Sequence, residues 1–283
     1  MQGHVRAEVS VRGYRMKISR RKFLKGAALG TAAVAGVGAW QIGEVDRLRV
    51  RYQTLTLPRW DAHGLRVALL TDLHVDQDAA EALAIRAIDL AAAEKPDLIL
   101  VSGDTISRHY QKTPQHITAV MGHLRDTGIP SYQVLGNHEY WNFRPDEVVA
   151  YLQASPVPLL RNEIQEIEGI NLWGLDDALM NRWRPDSLPS KYDRNVLAML
   201  HEPDPSEDLL GRPSLVLSGH SHGGQVCLPG QIAFHTPRGA RRYIRGFYPS
   251  APNPVFVSCG VGTVGPRVRA FCPPEVNLLT LNG

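Results

Sequence analysis

A chain of 283 residues, 43% hydrophobic and 21% charged, is long enough for one large domain with a full core, and it contains no low-complexity tract or internal repeat. The net charge of +3 conceals an asymmetry: residues 1–25 hold eight Lys or Arg and one acid, a local +7, so the remainder carries 3 − 7 = −4. A mildly acidic body argues against a nucleic-acid partner, and three cysteines (Cys227, Cys259, Cys272) at no metal-type spacing exclude a disulfide framework.

Ser19-Arg20-Arg21-Lys22-Phe23-Leu24-Lys25, followed by an Ala/Gly-rich apolar run from Gly26 to about Ile42, resembles a twin-arginine export signal. The run is short for a membrane span and diluted by glycine, so a cleaved signal (Ala33-Val34-Ala35 offers a site) and a retained anchor both stay open. This divides the chain into a leader, residues 1–45, and a body, residues 46–283. The expected partners are the twin-arginine translocase and a membrane or envelope surface. The expected location is the periplasm or the outer face of the cytoplasmic membrane.

Alternating apolar residues over Arg49–Pro58 predict an entering edge strand. Leu65–Thr71 is a nearly continuous apolar run, as in a strand covered on both faces, and it ends at Asp72-Leu73-His74. A helix over 79–93, stopped by Pro96, precedes a second buried strand, 97–101, that runs into Ser102-Gly103-Asp104. A helix over 114–125, capped by Gly128, leads to a third strand, 131–135, and to Gly136-Asn137-His138-Glu139. This β-α-β-α-β alternation predicts a parallel sheet with its three loops on one edge.

After a helix near 145–154 the pattern turns to short strands at about 163–167, 170–175, 195–200, 214–218, 255–259 and 276–281, a second sheet packed on the first. Two of them end in Leu200-His201 and in Gly219-His220-Ser221-His222-Gly223-Gly224. Prolines and a Pro229-Gly230 pair make 229–254 an irregular excursion.

Asp72, His74, Asp104, Asn137, His201, His220 and His222 are seven oxygen and nitrogen ligands at strand ends, too many for one tetrahedral ion and suited to two, with Asp104 bridging. Mixed imidazole, carboxylate and amide donors favour borderline first-row ions such as Mn, Zn or Fe over Mg or Ca. Two divalent ions against two carboxylates leave a positive site, which attracts phosphate. Such a pair lowers the pKa of a bridging water, whose hydroxide attacks in line. His138, beside a ligand but not needed as one, is free to stabilise charge or protonate the departing oxygen, and Glu139 either orients that ring or points to solvent.

Asp72-Leu73-His74, Gly103-Asp104, Gly136-Asn137-His138-Glu139, His201 and Gly219-His220-Ser221-His222 resemble, in order and spacing, the five motifs of the calcineurin-like metallophosphoesterase superfamily. The leader, Gly223-Gly224-Gln225-Val226 and Pro274-Glu275-Val276 look most like its exported, membrane-associated phosphodiesterase branch. The resemblance implies an α/β (α+β) fold, a sandwich of two mixed β-sheets flanked by helices. It also implies two metal sets: Asp72, His74, Asp104 and His222 for one ion, and Asp104, Asn137, His201 and His220 for the other. The expected activity is cleavage of a phosphodiester or pyrophosphate, with a phosphomonoesterase or a non-catalytic metal-binding module as alternatives.

The sequence departs from the family pattern at Cys259, where the branch often has arginine, and after Asp104. There Arg108 stands without the aspartate of the phosphoprotein phosphatases, which disfavours phosphoprotein substrates. Arg108 and His109 are expected substrate contacts. Arg238, Arg241, Arg242 and Arg245, interleaved with Tyr243, Phe247 and Tyr248, form either a solvated face or a grip on an acidic head group. Tyr140 and Trp141 are either a hydrophobic lid or ordinary packing.

Overall fold

In the computed structural model, residues 44–108, 111–167, 169–209 and 213–283 are described. The leader expectation therefore falls almost wholly outside the described residues, as does His109. Strand β1 (Arg49–Thr56) is followed by β2 (Leu65–Leu70), helix α1 (Asp78–Ala93), β3 (Leu98–Ser102), helix α2 (Thr113–Asp126) and β4 (Ser131–Val134). A single turn α3 (Asn137–Tyr140) and helix α4 (Pro145–Gln153) lead to β5 (Glu163–Ile167), β6 (Ile170–Gly174), β7 (Val196–Met199) and β8 (Leu215–Ser218). Then come β9 (Cys227–Leu228), β10 (Ile232–Ala233), β11 (Gly246–Tyr248), β12 (Val255–Val257) and β13 (Glu275–Asn282).

The first sheet has the order β1-β13-β2-β3-β4 and the second β11-β12-β8-β7-β6-β5. Both are mixed. In the first, β2, β3 and β4 run parallel while β13 is antiparallel to β2; in the second, β6, β7, β8 and β12 are parallel and β5 and β11 antiparallel. The entering strand is at an edge as expected, held parallel to the last strand from Arg49↔Glu275 to Thr56↔Asn282.

The sandwich follows from the two-residue period of each strand. Val67 and Leu69, Leu98 and Leu100, Leu197 and Met199, and Leu215 and Leu217 fill the core between the sheets. Their alternates on the first sheet, Ala68, Leu70, Ile99 and Val101, face outward against the helices. Helix α1 meets that face with Leu83, Ala84, Ala87, Ile88 and Ala91, spaced three or four apart, and its alanines allow close approach. Parallel strands buried on both faces need apolar residues at every position, which is why these strands read as continuous runs.

Among the described residues the α-helices flank the first sheet alone. The outer face of the second packs Trp173, Val196, Ala198 and Val216 against the irregular segment around Leu188, the 3-10 turn at Leu209, and Tyr243. Among the described residues no helix is long and apolar enough to cross a membrane. What positions the site is the shared polarity of the sheets. Ser102 Oγ donates to Leu217 O at 3.0 Å across the sandwich, and Gly219 N–H donates to His201 O at 3.0 Å. The carboxyl ends of β2, β3, β7 and β8 thus meet at one rim.

Candidate metal centre

Each strand at that rim hands its ligand to a backbone that turns sharply. Asp72 (φ 53°), His74 (φ 49°), Asp104 (φ 51°), His220 (φ 65°) and His222 (φ 48°) all adopt the left-handed region. For non-glycine residues this conformation costs about 1–3 kcal/mol each and persists only where surroundings over-determine it, as at functional sites. Glycines supply the clearance. A Cβ on Gly136 would overlap Asp104 Oδ1 and the His201 ring, and one on Gly219 would overlap Asp72 and Thr71.

The side chains gather into two groups able to hold a metal ion: Asp72, His74 and His222, and Asp104, His201 and His220, all buried. In the first, His74 Nε2 lies 3.0 Å from His222 Nε2, and His222 Nε2 lies 3.3 Å from Asp72 Oδ1. In the second, His201 Nε2 lies 3.0 Å from Asp104 Oδ2. That same oxygen is 3.8 Å from His74 Nε2, so Asp104 faces both groups. Asn137 borders the cavity with Asp104 and His220, and its buried Oδ1 has no hydrogen-bond partner. The structure therefore brings together all seven residues picked out from the sequence.

The donor chemistry fits metal ions. His201 Nδ1 donates to Ser102 O at 2.8 Å, which turns Nε2 toward the group and Asp104 Oδ2. His220 Nε2 donates to Arg238 O at 2.9 Å and so leaves Nδ1 as its ligand atom. Burial holds His74 down to about 3, His220 down to about 4 and His222 well below the ordinary range, keeping these rings neutral as ligation requires. Burial also pushes Asp72 up to about 6. Asp104 resists burial because His201 and the other imidazoles hold it well below the carboxylate range. Burial works against a charge on His201, but the neighbouring Asp104 carboxylate raises it well above the ordinary value.

Glu139 neither orients His138 nor points to solvent. Its buried carboxylate accepts the N–H groups of Gly136 at 2.7 Å, Asp104 at 3.1 Å and Ile106 at 3.1 Å. It thereby fastens the Asp104 loop to the Asn137 loop, and burial together with Asp104 pushes it up to about 8. Its place beside a ligand was the available signal, but no sequence pattern gives the direction of a side chain. Asp76, also missed, accepts Ser107 N–H at 2.8 Å and Arg108 N–H at 3.2 Å. Arg269 is fully buried and donates to the carbonyl oxygens of Cys259, Gly260, Gly262 and Cys272, its guanidinium 3.5 Å from His222 Nδ1. It braces the loop at Cys259 from behind.

His138 is half-buried, and its Nδ1 donates to Ser107 O at 3.1 Å, which leaves Nε2 for the open side. It borders two adjoining cavities. One, of about 360 Å³, also touches His74, Asp76, Arg108 and Arg267; the other, of about 470 Å³, lies over Asp104, Asn137, His220 and His222 and is walled by Trp141, Val226 and Phe234. The exposed Arg108 thus sits at the site. Tyr140 is packing, its hydroxyl 2.5 Å from Asp176 Oδ1, whereas Trp141 is exposed at the cavity wall.

The basic run divides. Arg242 pairs with Glu207 at 2.6 Å, Arg245 is half-buried against Gly223 O and Cys227, and Tyr243 packs into the second sheet. Arg238 and Arg241 are exposed. The three cysteines cluster as buried free thiols beneath the Gly223–Gly224 backbone.

The sequence profile described as calcineurin-like phosphoesterase matches residues 65–224, which span every residue of both metal-holding groups. The chain is 28% identical to an uncharacterised metallophosphoesterase of Bacillus subtilis, YkuE, over 94% of this chain and 98% of that one. It is 28% identical to the phosphodiesterase YaeI of Escherichia coli over 93% of this chain and 99% of that one. It is 25% identical to the UDP-2,3-diacylglucosamine pyrophosphatase LpxG of Chlamydia trachomatis over 89% and 96% respectively. With the two-sheet fold and the paired ligand groups already in place, these matches settle the family and the reaction class: the chain belongs to the calcineurin-like phosphoesterases and is a phosphoric ester hydrolase.

Proposed function

We propose that the chain is a dinuclear metal-dependent hydrolase cleaving a phosphodiester or pyrophosphate bond in a lipid-linked envelope substrate. Asp72, His74, Asp104 and His222 hold one ion, and Asp104, Asn137, His201 and His220 hold the other, with Asp104 shared. The donor set suits Mn, Zn or Fe. Bound there, such ions would supply Lewis-acid stabilisation of phosphate oxygens and a more acidic water.

The protein's own groups do the rest. Asp72 Oδ1 and Oδ2 accept His220 N–H at 3.1 Å, so the two ligand loops hold each other in register. Ser107 Oγ at 2.7 Å from His74 Nδ1 and Arg238 O at His220 Nε2 fix the ring orientations. His138, with Nδ1 tied to Ser107 O, holds a proton at Nε2 that it gives to the leaving oxygen. Arg108 contacts a phosphate oxygen from the smaller cavity.

The observation that carries the substrate reading is the two-sided mouth. From the ligand groups one cavity, of mixed lining, runs past Asp76, Arg108 and Arg267 with Val45 and Leu83, while the other, mainly apolar, runs past Trp141, Val226 and Phe234. A diester with one charged, amphipathic arm and one apolar arm fits both at once. The relative named for a diacylglucosamine pyrophosphatase supports the same class. Turnover of bis- and mono-p-nitrophenyl phosphate and of a lipid-linked pyrophosphate tests it. Faster cleavage of diester and lipid pyrophosphate is expected, and preference for the monoester overturns it.

Export by the twin-arginine route, with residues 1–45 as leader and the body outside the cytoplasmic membrane, rests on the Arg20-Arg21 sequence alone. Replacing both by Lys should trap the protein in the cytoplasm; unchanged export refutes it.

A further inference from the structure

The β9–β10 hairpin breaks the rule its position imposes. It has an inner face, where Cys227 and Ala233 pair across the strands and pack over the cysteine cluster. Its outer face should therefore be polar. Instead the outer cross-strand pair is Leu228 and Ile232, 43% and 62% exposed, beside the uncharged turn Pro229-Gly230-Gln231. No charged residue occurs from Gly223 to Pro237; the first are Arg238 and Arg241, both exposed. Phe234, 68% exposed, continues the apolar strip into the cavity wall, and Trp141, 70% exposed, faces it there. An apolar strip with basic residues at its foot matches a bilayer, whose acyl region is apolar and whose head groups are anionic.

The cavity that the hairpin walls shares His138 and Val264 with the smaller cavity, so the apolar hairpin stands at the edge of one continuous mouth.

We propose that the β9–β10 hairpin docks on a lipid bilayer, with Leu228 and Ile232 entering the head-group boundary and the site mouth held at the membrane surface. The inference rests on the reading above that the substrate is lipid-linked. A substrate with its lipid arm in the bilayer then reaches the metal groups along the Trp141 and Phe234 wall without leaving the membrane.

The test reads position, so it does not depend on turnover. In the full chain, an environment-sensitive fluorophore is attached at Ile232→Cys or, as reference, at Asp126→Cys. Asp126 ends α2 at the opposite end of the first sheet. Each is mixed with vesicles of phosphatidylcholine and phosphatidylglycerol, with and without a lipid-borne quencher. A blue shift and quenching at position 232 but not at 126 are expected. Equal response at both positions, or a shift at 232 that needs no vesicles and grows with protein concentration, as a second copy would produce, overturns the proposal.

A paired variant guards against damage by the label. Leu228→Ser with Ile232→Ser should weaken partition to the vesicles by about ten-fold or more, since two apolar side chains lose their lipid contact. It should leave hydrolysis of bis-p-nitrophenyl phosphate unchanged. Unaltered partition contradicts the proposal whether or not the substrate reading holds.

Discussion

His220 and His222, separated by one serine, belong to different metal-holding groups and turn different nitrogens inward. His220 spends Nε2 on Arg238 O and presents Nδ1, whereas His222 brings Nε2 to within 3.0 Å of His74 Nε2. Left-handed backbone at both residues, φ 65° and 48°, lets one short loop serve two positions. His220→Ala and His222→Ala should therefore each lose about one of two metal equivalents, and from different positions. Metal analysis with anomalous scattering checks this; loss of the same position in both variants contradicts the division.

Asp104 faces both groups, 3.0 Å from His201 Nε2 and 3.8 Å from His74 Nε2. Asp104→Asn keeps the shape and removes the charge, so both positions should weaken together. Turnover should fall by more than about 100-fold, beyond the 10–100-fold typical of an outer partner. An Asn variant that loses only one equivalent would show that Asp104 is not shared.

Glu139 holds three backbone N–H groups of the two ligand loops. Glu139→Gln replaces an acceptor oxygen by a donor that faces N–H groups, leaving at least one unpaired. We expect about 1–3 kcal/mol lower stability in denaturant titration and 10–100-fold weaker metal binding. A variant with wild-type metal affinity would reduce Glu139 to a packing role.

Gly136 has an ordinary backbone conformation, φ −118°, so alanine there costs no strain of its own. Its Cβ would still overlap Asp104 Oδ1 and His201. Gly136→Ala should lower metal occupancy and turnover while the fold survives, at an overpacking cost of about 1–3 kcal/mol. Full activity would mean that the two loops can separate freely.

His138 borders both cavities but lies in neither metal-holding group. His138→Asn should keep two metal equivalents and lose about 100- to 10,000-fold in turnover of a diester with a poor leaving group. The loss should be much smaller for p-nitrophenolate, which needs no proton. Equal losses on both substrates would rule out proton donation.

The rim was legible because its strands are covered on both faces. Val67–Leu70 and Leu98–Val101 carry apolar residues at consecutive positions, and each run stops shortly before Asp72 or Asp104. The seven residues picked out as candidate ligands stood at strand ends, so element order was enough to gather them. The short β9, β10 and β11 were hidden in a Pro- and Gly-rich stretch, since two- or three-residue strands have no period to read. Glu139 and Arg269 were hidden for another reason: their roles depend on side-chain direction, set by loops that meet only in the folded chain. Tyr243 and Tyr248, read beside a basic run, pack on each other with ring centroids 5.0 Å apart and help cover the outer face of the second sheet.

In the mechanism proposed above, hydrolysis needs two ions held by these seven residues. Stripping the purified protein with a chelator and titrating Mn or Zn back, while following bound metal and bis-p-nitrophenyl phosphate turnover together, tests it most directly. No turnover is expected in the stripped protein, and full recovery only as the second equivalent binds. Turnover that persists without metal, or that reaches its maximum at one equivalent, would contradict it.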